Sequence, residues 1–427
     1  MRQFMKRRNF LKHTGAAVLA APFIVRSQSA VPASERIRVA HVGTGRMARA
    51  HMSWFAAMPD VETVALCDVD SDRLAQAVEH LASRNPKAKP ETYSDYRRVL
   101  DRKDIDVVTC ATPDHWHALV AIHAFESGKD VYGEKPLSYS LREGQRMEAT
   151  MLRTKAVFQL GTQIHAGDNY HRVTEIIRSG VLGKIHTVRL WKTGGSKGMG
   201  YPAVQKPPAN LDWKMWLGPA PYVEYTPIRC HGSFRYFFDY SGGVFADFWC
   251  HIADVLFMAL NPTGLSSIDA RGEVPGDGIA DTPKWIDVDF KFKDLDVFWT
   301  TEPPKIPGAD EMSIGAHFEG EKGTLTCDYK TLTIRINDEV LSDLPDVPIT
   351  IARSEGHQRN FLDAVKSRAL PESNLPYARQ MTMPMHLALA SFRLKRKLQW
   401  DSQREIVIDD PAANYLLERH GSGAFRG

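Results

Sequence analysis

The sequence predicts an α/β chain in two parts. An N-terminal doubly wound parallel sheet comes first, and an α+β domain with a large, mostly antiparallel sheet follows. Three observations predict it. From Arg36 to about Thr154, short apolar runs alternate with stretches of helical period, which implies a parallel sheet covered on both faces. A glycine turn, Gly43-Thr44-Gly45, joins the first apolar run to the first helical stretch. After about Val157 the texture changes to segments in which apolar and polar residues alternate, as in antiparallel strands with one wet face. At 427 residues the chain is long enough for two domains, each with its own core.

Each element follows from its local pattern. Residues 37–42 read as a strand and 47–58 as an amphipathic helix. A second strand over 61–68 precedes a helix over 73–84, a third over 107–111 a helix over 115–127, and a fourth over 131–134 a helix over 141–154. Residues 157–161 form one more buried strand, and a helix over 170–179 is ended by Gly180. Alternating segments then fall at 185–191, 267–271, 286–292, 296–301, 323–327 and 332–336. Between them, residues 193–243 are rich in Gly, Pro and aromatics and far longer than a connector needs, so that stretch is functional or mobile. Helices over 356–367 and 377–396 close the chain, the last packing back toward the first domain. The expected organisation is a leader over 1–33, a nucleotide-binding domain over 35–155 and a substrate domain over 156–420.

Composition is that of a globular protein, 43% hydrophobic and 25% charged. A net charge of +3 gives no support for nucleic-acid binding, which needs a concentrated basic face. The five cysteines (Cys67, Cys110, Cys230, Cys250 and Cys327) include no Cys-x-x-Cys pair, which argues against a zinc site or a disulfide framework. At the N-terminus, Arg7-Arg8-Asn9-Phe10-Leu11-Lys12 precedes an uncharged stretch from Thr14 to Val25. This resembles a twin-arginine export signal, cleaved between Ser27 and Ala33, and places the mature protein in the periplasm or otherwise outside the cytoplasm. The run is short for a membrane span, and no other segment is expected to cross one.

The glycine turn has the residues that a dinucleotide needs. Gly43 permits the tight turn, Gly45 lets the backbone approach the phosphates, and Ala48 lets the helix pack close to the strand. Thr44, Arg46 and Met47 complete the turn and open the helix, whose N-terminal N–H groups suit a pyrophosphate. This is the Rossmann arrangement. Asp68 follows Ala48 by twenty residues, at the end of the second strand, where an acid accepts from a ribose 2′-hydroxyl and repels a 2′-phosphate. NAD is therefore expected rather than NADP, although Arg73 nearby could meet a phosphate. The third strand ends at Ala111-Thr112-Pro113, where an open α/β sheet binds its ligand, so Thr112, Pro113 and His117 are expected at the nicotinamide. His115, His117 and His123 do not share one helix face, and no metal is expected from them.

Glu134-Lys135-Pro136 ends the fourth strand. A lysine there can hydrogen-bond a reacting oxygen and take part in proton transfer. Asp247 and His251, four apart on an otherwise apolar helix, share a face, and Asp254 lies one turn further on. A histidine near its ordinary pKa of about 6.5 is the natural acceptor for a hydroxyl proton near neutral pH.

Taken in order, Gly43-Thr44-Gly45, Asp68, Thr112-Pro113-Asp114-His115-Trp116-His117, Glu134-Lys135-Pro136, Asp247-x-x-x-His251, Gly320-Glu321-Lys322-Gly323-Thr324 and His357-x-x-Asn360-Phe361 resemble the Gfo/Idh/MocA oxidoreductases. Asp212-Trp213-x-x-Trp216-Leu217-Gly218-Pro219-Ala220-Pro221 resembles an exported branch of that family. The resemblance implies reversible hydride transfer between a tightly bound NAD and a secondary hydroxyl of a sugar, cyclitol or sugar derivative. It makes Lys135, Asp247 and His251 catalytic, and gives Glu134 and Lys135 cofactor contacts. It also implies a homo-oligomer, a dimer or tetramer. Arg229 and Arg235, in the long aromatic region with Trp213, Trp216, His231, Phe234, Asp239 and Tyr240, are expected to join Lys135, Asp247 and His251 at the substrate. Two alternatives stay open: an NAD-retaining glycoside hydrolase that works by transient oxidation, and a non-catalytic sugar-binding relative.

Overall fold

The computed structural model describes residues 32–420. The twin-arginine stretch lies outside the described residues. The first domain runs β1 (Ile37–Val42), α1 (Arg46–Ala56), β2 (Val61–Cys67), α2 (Ser71–Arg84), β3 (Glu91–Tyr93), α3 (Tyr96–Asp101), β4 (Val107–Cys110), α4 (Asp114–Glu126), β5 (Asp130–Gly133), α5 (Leu141–Thr154) and β6 (Phe158–Leu160). These six strands form one parallel sheet in the order β3-β2-β1-β4-β5-β6. The order reverses between β1 and β4, which opens a crevice at their C-terminal ends. Strands covered on both faces carry little but apolar residues, and Val39, Ala40, Val107, Val108 and Val131 are fully buried.

Because β6 pairs with β5, the first domain ends near residue 160 rather than at 155. The chain also comes back to it. Phe361 and Leu362 of α9 (His357–Ser367) pack with Val39, Phe55, Val107 and Tyr132 against the back of the sheet.

The second domain contains α6 (Asp168–Arg178), β7 (Ile185–Lys192), α7 (Trp213–Leu217), α8 (Gly243–Leu260), β8 (Ser267–Glu273), β9 (Trp285–Phe292), β10 (Leu295–Thr300), β11 (Ile314–Gly320), β12 (Gly323–Cys327), β13 (Leu332–Ile336) and β14 (Glu339–Val340). After α9 come α10 (Leu375–Leu394), β15 (Leu398–Asp401), β16 (Ile406–Val407) and α11 (Pro411–Leu416). Ten strands lie in the order β14-β13-β12-β11-β7-β10-β9-β8-β15-β16. Only the β7–β10 pair is parallel.

β11 sits in the middle of that sheet although its sequence, Ile-Gly-Ala-His-Phe-Glu-Gly, does not read as a strand. Packing decides it. A Cβ at Gly315 would come within 2.3 Å of the Trp191 indole on β7, so the glycine makes room for that side chain. His317 is satisfied across the sheet by Thr326 at 2.8 Å.

α8 is the axle of the domain. By length and hydropathy it could cross a membrane, contrary to the sequence expectation, yet 72% of it is buried inside the protein, among α6, α10 and the sheet. An all-round apolar helix is what such a core position requires. α10 packs against α5 and α8, so the expected return toward the first domain takes place.

Residues 193–243 form a packed strap. They carry their own core of Leu211, Trp213, Trp216, Phe234, Phe237 and Tyr240. They are also tied to the first domain. Ser71 N donates to Asn210 O (2.9 Å), Asp212 N to Val69 O (3.0 Å), and Trp116 Nε1 to Trp216 O (3.0 Å). The strap thus spans the C-terminal ends of β1, β2 and β4.

Candidate active site

A cavity of about 740 Å³ opens between the crevice of the parallel sheet, the start of α8 and the underside of the strap. One end is built by the glycine turn. Gly43 has φ +80°, and a Cβ there would come within 2.7 Å of Ala111 O, so only glycine permits the turn to sit against β4. Gly45 caps α1 without any side-chain hydrogen bond, which leaves the first N–H groups of the helix for a ligand. Arg46 and Arg73 line the same region. Arg73 forms no ion pair with another described residue.

Asp68 lines the cavity and has a second task. Its Oδ2 accepts from Thr44 N (2.7 Å) and Thr44 Oγ1 (2.9 Å), and its Oδ1 from Asp70 N (3.0 Å). The carboxylate therefore holds the glycine turn together while facing the groove. Asp70 caps α2 and takes His231 Nε2 of the strap at 2.8 Å. These features fit a dinucleotide: a glycine cradle that a Cβ would fill, an uncapped helix start, two cations and an acid at the second strand's end.

Of the residues expected at the cofactor, Gly43, Gly45, Arg46, Met47, Asp68, Thr112, Pro113, Glu134 and Lys135 line the cavity. Thr44 and His117 do not. Thr44 is turned onto Asp68, and His117 bonds Pro136 O (2.7 Å) and Thr112 O (3.0 Å), bracing the two strand ends from behind. The other histidines of that segment are likewise taken up internally. His115 bonds Trp216 O at 3.0 Å, and His123 bonds the Tyr96 hydroxyl at 2.8 Å.

At the other end, Lys135 Nζ lies 2.5 Å from Asp247 Oδ1 and donates to Asp247 O at 2.8 Å. Arg235 Nε donates to Asp247 Oδ2 at 2.9 Å. Burial alone would push the Asp247 carboxyl up, but Lys135 and Arg235 outweigh it and hold it down at about 2. His251, one turn along α8, is also shifted down, which here removes its charge. Burial first, and then the neighbouring Lys135 charge, push it down to about 4, so at neutral pH it is an uncharged base. The sequence expectation of an ordinary histidine pKa is corrected by that burial. Glu134 is buried beside them. Its Oε1 accepts from Gln163 Nε2 (3.0 Å) and pairs with His51 Nε2 (2.8 Å), which keeps it ionised against the cost of burial.

Lys135, Arg235, Asp247 and His251 are thus brought together, but Arg229 is not among them. It packs on the Phe237 ring and pairs with Asp239 and Tyr240 within the strap. Its apolar stem and planar head serve the strap's own core. Trp213, Asp239 and Tyr240 also stay inside the strap, whereas Trp216, His231 and Phe234 face the cavity. Gln163 was missed from the sequence. Its signal was its place just past β6, at the same edge of the sheet as Thr112 and Lys135.

Comparison with known proteins agrees with this geometry. Residues 37–162 match the oxidoreductase family's NAD-binding Rossmann fold, and residues 167–426 match the family's C-terminal alpha/beta domain. Among curated proteins, glycosyl hydrolase family 109 protein 1 of Shewanella sp. (strain MR-4) is 34% identical over 158 residues. That match covers 36% of this chain and 34% of the relative, so the chain spans about a third of that protein's length. Among solved structures, the WlbA dehydrogenase of Bordetella pertussis, in complex with NADH and UDP-GlcNAcA, superposes with a TM-score of 0.64 at 18% identity. The superposition covers 86% of this chain and 99% of that one. Levoglucosan dehydrogenase, in complex with NADH and levoglucosan, gives 0.60 at 19% identity, covering 85% and 99%. With a family match over more than half of its length and both domains in family order, the chain belongs to the Gfo/Idh/MocA oxidoreductase family.

Proposed function

We propose that this protein uses NAD to transfer a hydride from a secondary hydroxyl carbon of a sugar or polyol. The observation that carries the reading is the joining, in one cavity, of the glycine turn with Lys135, Arg235, Asp247 and His251. The glycine turn, Arg46, Asp68 and the strand ends at Thr112 and Lys135 would hold NAD, which when bound would supply the hydride acceptor. The protein supplies the proton chemistry. His251, uncharged at neutral pH, takes the hydroxyl proton. Lys135 donates a hydrogen bond to the same oxygen as negative charge develops there. Asp247 stays ionised, fixes the Lys135 ammonium and the Arg235 guanidinium, and keeps the site from carrying two unpaired cations. In the reverse direction the same groups return the proton. The relatives crystallised with NADH and sugar ligands support a carbohydrate substrate.

A second reading has its own support. The strap covers the β2 end of the groove through Asp70, Asn210 and His231, which favours a cofactor that stays bound between turnovers. A retained NAD suits a redox-neutral reaction, either glycoside cleavage by transient oxidation or coupled oxidation and reduction of two sugars. The glycosyl hydrolase family 109 relatives support the former. The sequence around Arg7 and Arg8 adds a proposed export by the twin-arginine route, where no free NAD pool recycles the product. An Arg7→Lys, Arg8→Lys protein that still reached the periplasm would end that proposal.

Mass spectrometry of small molecules released from purified protein, followed by a sugar and nitrophenyl-glycoside panel with and without added NAD, tests the function. Turnover that needs added NAD and yields NADH supports the dehydrogenase. Cleavage without net NADH supports the second reading. No dinucleotide in the protein and none bound on addition would overturn both.

A further inference from the structure

His251 and Asp254 sit three residues apart on α8, where neighbouring Cβ atoms lie about 5–6 Å from each other. Each has one buried polar atom without a hydrogen-bond partner among the described residues: Nδ1 of His251 and Oδ2 of Asp254. Buried polar atoms are almost always satisfied, and the two are complementary, one a ring nitrogen and the other a carboxylate oxygen. Everything else about Asp254 is held fast. The residue is fully buried; its Oδ1 accepts from the Tyr377 hydroxyl at 2.7 Å and meets His165 Nδ1 at 2.9 Å. Tyr377 also donates to the Asp254 carbonyl (3.1 Å), and the Tyr170 hydroxyl donates to the His251 carbonyl (3.0 Å), so that turn of α8 is pinned from two sides.

Other buried polar groups surround the two residues. Asp254 is flanked by His165, Tyr377, Glu372 and His357, and His251 faces Lys135, Asp247 and Glu134 across the cavity and the rings of Phe248 and Tyr329 beside it. Burial opposes a charge on His165, yet the Asp254 carboxylate outweighs it and raises the His165 pKa, so the Oδ1 side of the carboxylate is already engaged. The capacity that remains on Oδ2 is matched on the same helix, one turn back, by the unpartnered His251 Nδ1.

We propose that Asp254 is a positioning residue for His251. A buried water bridges His251 Nδ1–H to Asp254 Oδ2, which fixes the neutral imidazole with its proton on Nδ1 and its lone pair on Nε2, toward the cavity. A single water with two to four polar partners is the usual occupant of such a gap. Which nitrogen of a neutral histidine carries the proton is set by the bond that the other one makes. This inference rests on His251 as the base of the proposed reaction. It extends the site into a line that runs from Lys135 and Asp247 through His251 and Asp254 to His165.

Nitrogen-15 spectra of the histidine-labelled, NAD-loaded protein test it without any substrate. His251→Gln identifies the His251 signals among those of the 16 histidines. The expected result for the unaltered protein is a neutral ring with Nδ1 protonated and Nε2 bare. Asp254→Asn is expected to move both nitrogen signals toward those of a tautomer mixture, and His165→Gln, which leaves the carboxylate in place, to keep them where they were. A His251 ring protonated on Nε2 in the unaltered protein would overturn the proposal, even if no Asp254 variant folds. So would an Asp254→Asn protein that melts at a lower temperature with unchanged His251 signals, since that is what a purely structural aspartate produces. Failure of His251 as the base shows elsewhere, as turnover that survives His251→Ala.

Discussion

The ammonium of Lys135 lies 2.5 Å from one oxygen of Asp247 while the guanidinium of Arg235 holds the other at 2.9 Å. The lysine comes from the end of β5 in the parallel sheet, the aspartate from α8, and the arginine from the strap. Three distinct parts of the fold therefore meet at one carboxylate. Two cations meet one carboxylate there, and the N–H donors it leaves free suit a developing alkoxide.

Removing the lysine should tell in two ways. Lys135→Ala should lower turnover by roughly 10²–10⁴-fold, the usual share of a general acid–base group, with NAD binding nearly unchanged. His251→Ala should do the same. In the unaltered protein the acid limb of kcat/KM is expected near pH 4, because burial and then Lys135 hold His251 down. Without the Lys135 charge the His251 pKa rises, so the limb of the residual activity should move to higher pH. A limb that stays in place in Lys135→Ala, measured by kcat/KM across pH 3.5 to 8, would remove Lys135 from contact with the base.

Much of this site was legible in the sequence because short-range rules wrote it. The Gly43–Gly45 turn, the acid at Asp68 and the i, i+4 pair Asp247–His251 each depend on spacing along one element. What could not be read depends on pairings across the chain. Arg229 and Arg235 are equally basic and six residues apart, yet only the fold around Phe237 and Tyr240 turns Arg229 inward. β11 was hidden because its glycine and histidine answer Trp191 and Thr326 on neighbouring strands. The same holds for the lowered His251 pKa, which burial sets and no local pattern records.

Acid should destabilise the fold early. His41, His115 and His386 are buried with pKa values pushed down to about 3, and His251, His317 and His357 to about 4, burial being the first cause each time. In the unfolded chain each returns to about 6.5. Between those values the unfolded state binds more protons, so stability is full above pH 6.5 and falls as pH drops toward 4. Asp247, depressed to about 2, adds a further loss as pH falls from about 4 toward 2. Calorimetry should show a melting temperature that declines steadily below pH 6.5. A flat profile down to pH 4.5 would mean that these rings are not buried neutral.

Asp68→Ala should weaken NAD binding and narrow its advantage over NADP. The carboxylate stands where a 2′-phosphate would go, with Arg73 at hand once it is removed. Because Asp68 also accepts from Thr44 N and Oγ1, part of the loss should appear for both cofactors alike. Titration of each cofactor separates the two effects. Unaltered preference in Asp68→Ala would place the discrimination elsewhere.

The strap's grip on the first domain makes the last prediction. His231 Nε2 reaches Asp70 Oδ2 across the groove at 2.8 Å, and Asn210 Nδ2 donates to the other oxygen at 3.0 Å. Burial first, and then Arg73, hold the His231 pKa down, so at neutral pH this is an uncharged imidazole N–H donating to a carboxylate. Hydrogen bonds to charged groups contribute about 1.5–3 kcal/mol, and part of that is lost to solvent here because His231 is partly exposed. His231→Ala should then speed NAD release by roughly tenfold, each factor of ten being about 1.4 kcal/mol. The variant should fold normally, since Asp70 keeps its cap on α2 through Asp72 N and Arg73 N. Release is read by mixing NAD-loaded protein with an excess of a competing dinucleotide and following the loss of the bound one. Equal release rates for His231→Ala and the unaltered protein would show that the strap does not retain the cofactor. The redox-neutral reading would then lose its structural support.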